Sequence, residues 1–356
     1  MKIVILVHNL TGGGAERVAA LWTKGLCKKG YDVCVILFDD KSPVTYSLPK
    51  HVKVRFVVSH KKNRFLCVID RIIKLHKTLK YERPDVVIDV MPDYWKRAAM
   101  SHLKCYKIST EHWSFERPKD APIQPKKIKK IYLNRLYDHV TVLTQADKNV
   151  IGSRLKRVTV LPNPLAFEPM GNLDVSQKEK VVLAVGRLDA GHVKGFDVLI
   201  KAFSMAKTDW SLQIAGTGTP ESLSRYKELA RVCGVEERVQ FLGFINDPIK
   251  LYQKASIFVL SSRYEAFGLV VIEAMSQGCA CIACDYKGRQ REIITNGVNG
   301  IICKPDDIEG IASALTELTK NENKRKQLGL NAIERSKDFS VDKIADRWEQ
   351  ILSEFI

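Results

Sequence analysis

No apolar run in the 356-residue chain reaches the roughly 18 to 20 residues that a membrane-spanning helix needs, so the chain is not expected to cross a bilayer. The opening "MKIVILVHNL" has one lysine and a short apolar run without a small-residue cleavage site. It reads as a buried first strand and not as a secretory signal, which predicts a cytoplasmic protein. A disulfide framework is also missing: the nine cysteines are an odd number scattered along the chain, so reduced thiols are expected. Cys279, Cys281 and Cys284 crowd into "GCACIACD", but no fourth Cys or His follows at ligand spacing, and the segment has the apolar run of a buried strand. Core thiols are expected there, and no metal.

Acidic residues are scarce in one half alone. Residues 1–165 hold 32 Lys and Arg against 14 Asp and Glu, whereas residues 166–356 hold 25 against 26, so the net charge of +17 belongs to the first half. A half of that sign suits an anionic partner, either nucleic acid or the anionic inner leaflet of a membrane, and the plainer alternative is a solubilising surface. Zinc spacing, an RNP-like aromatic strand and basic–aromatic alternation are all lacking, which argues against nucleic acid.

What is present is an alternation of short apolar strands and helices that occurs twice. In the first half "KIVILV", "DVCVILF", "VKVRFV", "PDVVIDV", "YKIST", "HVTVLT" and "RVTVLP" read as strands, with helices over 15–29 and near 62–80. "PNPLAFEPMG" then interrupts the pattern as a linker. After it come "KVVLAVGRL", "SLQIAGTG", "VQFLGF", "SIFVLSS" and "CACIAC", separated by further helices. The expected fold is α/β, with two Rossmann-like, doubly wound parallel-sheet domains facing each other across a cleft. The first spans 1–163, the linker 164–176, the second 177–338, and a helix over 339–356 closes the chain. Ligands of such sheets bind beyond the carboxyl ends of the strands. "TGGGAER", "EHW", "GRL" and "RYEAFG" all follow strands.

In "HNLTGGGAERVAALW" the strand turns through Gly12, Gly13 and Gly14 into a helix, whose free N–H groups suit a phosphate or diphosphate. A dinucleotide fingerprint, as in an NAD-dependent enzyme, fits only in part: Asp39 or Asp40 closes the second strand, but Arg17 stands where a third glycine belongs. A tight turn without a ligand is the other alternative. In the second domain, "SSRYEAFGLVVIEAMSQG" places Glu265 in a loop, Phe267, Gly268 and Leu269 at a helix start, and Glu273 within that helix. Each carboxylate can accept bonds from sugar hydroxyls, and the helix start can face a phosphate. Arg187 in "VGRL" and Lys194 in "HVKGFD" add a guanidinium fork and a point cation suited to a diphosphate. Glu273, flanked by "VVI" and "AM", lies where an unpaired carboxylate would be costly, which favours a functional role.

Glu-x7-Glu with "FGL", together with "GRL", "KGFD", "FLGF" and "GVNG", resembles the family 4 retaining glycosyltransferases of the two-domain GT-B architecture over nearly the whole chain. The resemblance implies that Arg187, Lys194 and the N–H groups of Phe267, Gly268 and Leu269 bind a donor diphosphate. It further implies that Glu273 holds the ribose and Glu265 the transferred sugar. "GGGAER", with Gly13 and Gly14, matches the glycine loop beside donor and acceptor, and "STEHW" places His112 at the family's histidine. No cofactor or metal is implied, and the chain shows no D-x-D in a suitable loop. The implied mechanism is front-face attack, with a donor phosphate oxygen taking the acceptor proton and His112 orienting the sugar.

The chain departs from the family in three places. Arg187 and Lys194 stand one or two residues further apart than is common, so His192 could share the lysine's work. Ala280 stands where proline is frequent. Arg289 and Arg291 are inserted in "DYKGRQREII", and whether they meet substrate or solvent stays open.

The basic half is expected to face acceptor and membrane, with 339–356 packing back on it. In the helix "KKNRFLCVIDRIIKLHKTLK", Arg64, Arg71, Lys74 and Lys77 interleave with apolar residues that are expected to pack on the domain, leaving the cations to a lipid-linked diphosphate. Lys126, Lys127, Lys129 and Lys130 form a nearly all-charged cluster expected to dock on anionic lipid. Tyr94, Trp95, Trp113 and Phe115 either line an acceptor groove, rest at headgroup level or pack in a core. Length, loops and basic helix resemble bacterial enzymes that extend polyprenyl-diphosphate-linked oligosaccharides in N-glycan, capsule, exopolysaccharide or O-antigen assembly. The implied reaction moves a hexose or N-acetylhexosamine from a nucleotide sugar, UDP-linked by preference, to a lipid-linked saccharide at the inner face of the cytoplasmic membrane. A soluble small-molecule acceptor is the alternative.

Overall fold

A computed structural model of the chain describes residues 1–116, 127–171, 174 and 178–355. The chain divides into two compact units, Met1–Ala166 with Val341–Ile356, and Phe167–Ser340.

Unit 1 runs through β1 (Lys2–Val7), α1 (Gly14–Lys28), β2 (Asp32–Leu37), β3 (Lys53–Phe56), α2 (Arg64–Glu82), β4 (Val86–Val90), α3 (Tyr94–Ala99) and β5 (Tyr106–Glu111). It continues through α4 (Lys127–Asn134), β6 (His139–Val142), α5 (Gln145–Ile151) and β7 (Val158–Val160). The seven strands form one parallel sheet in the order β3-β2-β1-β4-β5-β6-β7. Ile3, Val4, Ile5 and Leu6 of β1 are all fully buried, because a central parallel strand is covered on both faces and so reads as a continuous apolar run.

Unit 2 holds β8 (Glu179–Val185), α6 (Phe196–Met205), β9 (Ser211–Ala215), α7 (Pro220–Val232), β10 (Val239–Gly243), α8 (Ile249–Lys254) and β11 (Ala255–Leu260). Then come α9 (Leu269–Ser276), β12 (Ala280–Cys284), β13 (Ile301–Cys303), α10 (Ile308–Lys320) and α11 (Glu322–Ser336). Its parallel sheet has the order β10-β9-β8-β11-β12-β13. Phe203, Leu212, Ile214, Ile257 and Leu315 belong to one apolar cluster of this unit. Cys279, Cys281 and Cys284 are buried free thiols in and just before β12. A last helix, α12 (Val341–Ser353), returns to unit 1, where Ile344, Trp348 and Leu352 are buried and the Trp348 ring meets Trp22 edge-on at 5.1 Å.

Both sheets step outward in opposite directions from their first strand, which puts the topological switch points between β1 and β4 and between β8 and β11. Asn63 caps α2 by accepting from the N–H groups of Phe65 and Leu66 at 2.9 and 3.2 Å, and Arg83 ends that helix in the left-handed region. Among the described residues no helix is long and apolar enough to cross a membrane.

Candidate active site

Beyond the carboxyl ends of β1, β4 and β5, unit 1 contains a cavity of about 580 Å³ lined by His8, Glu16, Arg71, Asp93, Trp95, Glu111 and Trp113, among others. Ala15 and Glu16, at the start of α1 just after the glycines, form part of its wall. A Cβ on Gly13 would lie 1.8 Å from Glu16 Oε2, so the helix's own acid folds over its start in the space that the missing side chain leaves. That acid answers the positive end of α1, and Gly14 is the first residue of the helix.

Lys96, which also lines the cavity, is buried, donates to Asp89 Oδ1 at 2.5 Å and reaches the carbonyls of Val90 and Met91 at 3.2 and 2.8 Å. Tyr137 Oη donates to Asp89 Oδ2 at 2.5 Å. Burial raises the pKa of Asp89 against these two partners. Glu111 pairs with Lys130 at 2.6 Å and accepts from Asn134 Nδ2 at 2.6 Å.

His112 follows β5 with its ring 5.3 Å from Trp22 and Nε2 3.4 Å from Thr110 Oγ1. Burial, and then the Lys130 cation, push its pKa down to about 3, so the imidazole is neutral at physiological pH. Tyr94, Trp95 and Trp113 line the cavity, while Phe115 is buried with Ile131 and Val140.

The basic residues divide differently from the expectation. On α2 only Arg71 lines the cavity, its guanidinium 5.9 Å from the Trp95 ring centroid. Lys74 pairs with Asp70 at 2.9 Å and donates to the Val58 carbonyl at 2.9 Å, and Arg64 and Lys77 are exposed. The apolar residues of the first half of α2 do not all pack inward: Phe65 is 72% exposed and Leu66 52%, with Ile69 and Ile73 continuing the outward stripe. Leu75 and Leu79 supply the buried face.

The lysine cluster is not a uniform charged surface. Lys130 is buried, donates to the Trp113 carbonyl at 2.7 Å and sits 4.4 Å from the Phe115 ring centroid, so it is withdrawn from any docking patch. Lys129 is exposed and lines the cavity. Lys126 and the Lys127 side chain lie outside the described residues.

In unit 2, Lys194 Nζ lies 2.6 Å from Glu265 Oε1, which also accepts from Ser262 Oγ at 2.9 Å. Arg187 forms a fork onto Asp189 at 3.0 and 3.0 Å, and the bond to Asp189 raises its pKa. Gly268 precedes α9 at φ 95°, and the Phe267 carbonyl accepts from Gln290 Nε2 at 2.7 Å, which ties this helix start to the turn after β12. Glu273 is 1% exposed and accepts from Tyr252 Oη at 3.0 Å. Its burial therefore has a partner inside the protein and does not by itself call for a ligand. Arg289 is fully buried with its guanidinium 5.4 Å from the Tyr286 ring, whereas Arg291 is exposed and pairs with Asp285 at 2.9 Å. His192 is exposed in the turn before Lys194.

The sequence motifs do not single out Lys96, Asp89, Tyr137 or Gln290. An acid inside the apolar run "PDVVIDV" was the available signal for the first three.

Two parallel sheets of matching order, each with its polar groups gathered past the strand ends at the switch point, are the architecture of a GT-B glycosyltransferase. The chain matches Glycosyltransferase Family 4 over residues 12–168 and Glycosyl transferases group 1 over residues 166–335. It is 30% identical, over 99% of both chains, to a Campylobacter jejuni α-1,4-N-acetyl-D-galactosaminyltransferase named for the acceptor GalNAc-α-(1→4)-GalNAc-α-(1→3)-diNAcBac-PP-undecaprenol. An amylovoran biosynthesis glycosyltransferase of Erwinia amylovora is 27% identical over 99% of both chains. An Anabaena protein solved with UDP and glucose shares the fold, with a TM-score of 0.84 and 21% identity over 99% of this chain and all of that one. The chain belongs to the family 4 glycosyltransferases, and it is an enzyme of the transferase class.

Proposed function

We propose that this chain is a retaining glycosyltransferase that moves a hexose or N-acetylhexosamine from a UDP-sugar to a hydroxyl of a lipid-linked saccharide. The observation that carries the donor side is the Lys194–Glu265 pair at 2.6 Å beside the start of α9: a cation for a diphosphate next to an acceptor for sugar hydroxyls. Arg187 and the N–H groups of Phe267, Gly268 and Leu269 complete the diphosphate contacts, Glu265 holds the sugar and Glu273 the ribose. The acceptor oxygen attacks the anomeric carbon from the face the diphosphate leaves, the anomeric C–O bond to phosphate breaks, and a phosphate oxygen takes the acceptor proton. His112, neutral, orients the sugar.

The names of relatives that act on undecaprenyl-linked saccharides support a lipid-linked acceptor. The unit 1 cavity, with Trp95 and Trp113 for sugar faces and Arg71 and Lys129 for an acceptor diphosphate, supports the same reading. The outward stripe of α2 would rest the enzyme on the inner leaflet, and no nucleic acid is involved.

The test is a screen of radiolabelled UDP-sugars with bacterial membrane extract as acceptor, run with and without EDTA. Label is expected in a lipid-extractable product that mild acid releases, with the anomeric configuration of the donor kept by NMR. Transfer is expected to persist in EDTA, since cations and a helix start meet the diphosphate charge. Label confined to water-soluble products would favour a soluble acceptor, and an inverted anomer would overturn the retaining mechanism.

A further inference from the structure

One side chain, Arg263, ties down the turn that carries Lys194. Arg263, two residues before Glu265, donates a fork to Asp197 at 2.8 and 2.7 Å, reaches the His192 carbonyl at 2.7 Å through Nη1 and bonds Asp306 through Nε at 2.5 Å. Its backbone N–H donates to the Val193 carbonyl at 2.9 Å. Ser261 Oγ donates to the Lys194 carbonyl at 3.0 Å. Gly195, at φ 64°, lies so close to β11 that a Cβ there would stand 2.0 Å from the Ser261 carbonyl oxygen. The short helical turn Gly191–Lys194 is thus bound to the loop after β11 on both sides of Lys194, by Arg263 upstream and Ser261 downstream.

We propose that Arg263 is a positioning residue that sets where Lys194 meets the distal phosphate of the donor, acting through the carbonyls of His192 and Val193 and through Asp197 at the start of α6. The proposal rests on the donor-site reading above. A lysine on a flexible four-carbon stem is only as well placed as the backbone that carries it. The guanidinium makes four bonds here, to two carboxylates and a carbonyl, one more than the three N–H groups of a lysine could supply and with a planar fork on Asp197. Burial raises the pKa of Asp197 and the Arg263 fork more than offsets it, so the carboxylate stays charged and the clamp closed.

The test compares UDP with UMP by calorimetry, because only UDP carries the distal phosphate. In Arg263→Met, UDP is expected to bind on the order of ten-fold more weakly, the lower end of what one charge-assisted bond contributes, while UMP binding changes less than about two-fold. Arg263→Lys, which keeps the charge and the stem, is expected to show the same split at smaller size and carries the test if the Met variant does not fold. Added to Lys194→Ala, Arg263→Met should cost nothing further in UDP affinity. Equal losses for UDP and UMP, unchanged UDP binding, or additive losses in the double variant would overturn the proposal. Unchanged UDP binding in Lys194→Ala alone would overturn the donor-site reading itself.

Discussion

At the scale of single residues, the neighbours of a side chain decide its charge. His112 shows what partners change. Its environment lowers its pKa to about 3 from an ordinary value of 6.5, burial being the larger cause and Lys130 the smaller. The unfolded chain therefore binds a proton near pH 6.5 that the folded chain refuses. Stability is complete above that pH and is lost as pH falls toward the folded value, at up to about 1.4 kcal/mol per pH unit. Urea midpoints measured from pH 7 to pH 4.5 should drop more steeply for the wild type than for His112→Gln, and parallel curves would show that the imidazole is not shielded. Glu273 poses the opposite question, because Tyr252 satisfies it from within. If the carboxylate also holds the ribose, wild type should prefer UDP to 2′-deoxy-UDP by about ten-fold, and Glu273→Gln should erase that preference, since a hydroxyl bonded to a charged group contributes roughly 1.5–3 kcal/mol. A preference that survives in Glu273→Gln would leave Glu273 as a structural partner of Tyr252 only.

At the scale of elements, the seven strand-like runs of the first half are the seven strands of the first sheet: β1, β2, β4, β5 and β6 are buried and announce themselves by hydrophobicity, whereas the edge strands β3 and β7 are exposed or half-buried and show only as short β-branched runs. The second sheet's β13 escaped because "IIC" is too short to show a period, and α3 escaped for the same reason. The facing of helices is less legible in the sequence. "KKIKK" looks like solvent-facing charge, yet Lys130 turns inward to Glu111, and α2 looks packed along its length, yet its first half turns a stripe of Phe65, Ile69 and Ile73 outward. Charge and period say that a helix has faces, not which face the rest of the unit covers. If that stripe meets the membrane, replacing Phe65 and Leu66 with Ser should reduce binding to vesicles of anionic lipid at both low and high salt. Replacing Arg64 and Lys77 with Gln should reduce it mainly at low salt, because each surface cation contributes on the order of 1 kcal/mol that ions screen. Vesicle binding by the Ser variant equal to wild type would remove α2 from the interface.

At the scale of the whole molecule, the chain leaves unit 1 after Ala166 and re-enters it at Val341, so unit 1 is built from both ends of the sequence. The returning helix is part of its core: Trp348 is fully buried against Trp22, and Ile344, Ile351 and Leu352 are buried with it. Val341 and Ala345 lie close enough to Gly25 of α1 that a Cβ there would stand 3.1 Å from each. Lys29 pairs with Asp346 and Glu349 at 2.5 and 2.7 Å, but these groups are largely exposed, so the apolar contacts decide the energetics. Trp22 also touches His112, so the same tryptophan links α12 to the residue proposed to orient the sugar. Trp348→Ala should cost about 3–5 kcal/mol of unit 1 stability, the range for a buried tryptophan whose cavity cannot fully collapse. Because unit 2 ends at Ser340, its own unfolding should not move, and calorimetry should show the loss in one transition of two. UDP binding, which the donor reading assigns to unit 2 alone, should persist in Trp348→Ala while sugar transfer falls. A variant that loses UDP affinity together with transfer would show that the two units do not divide the work in this way.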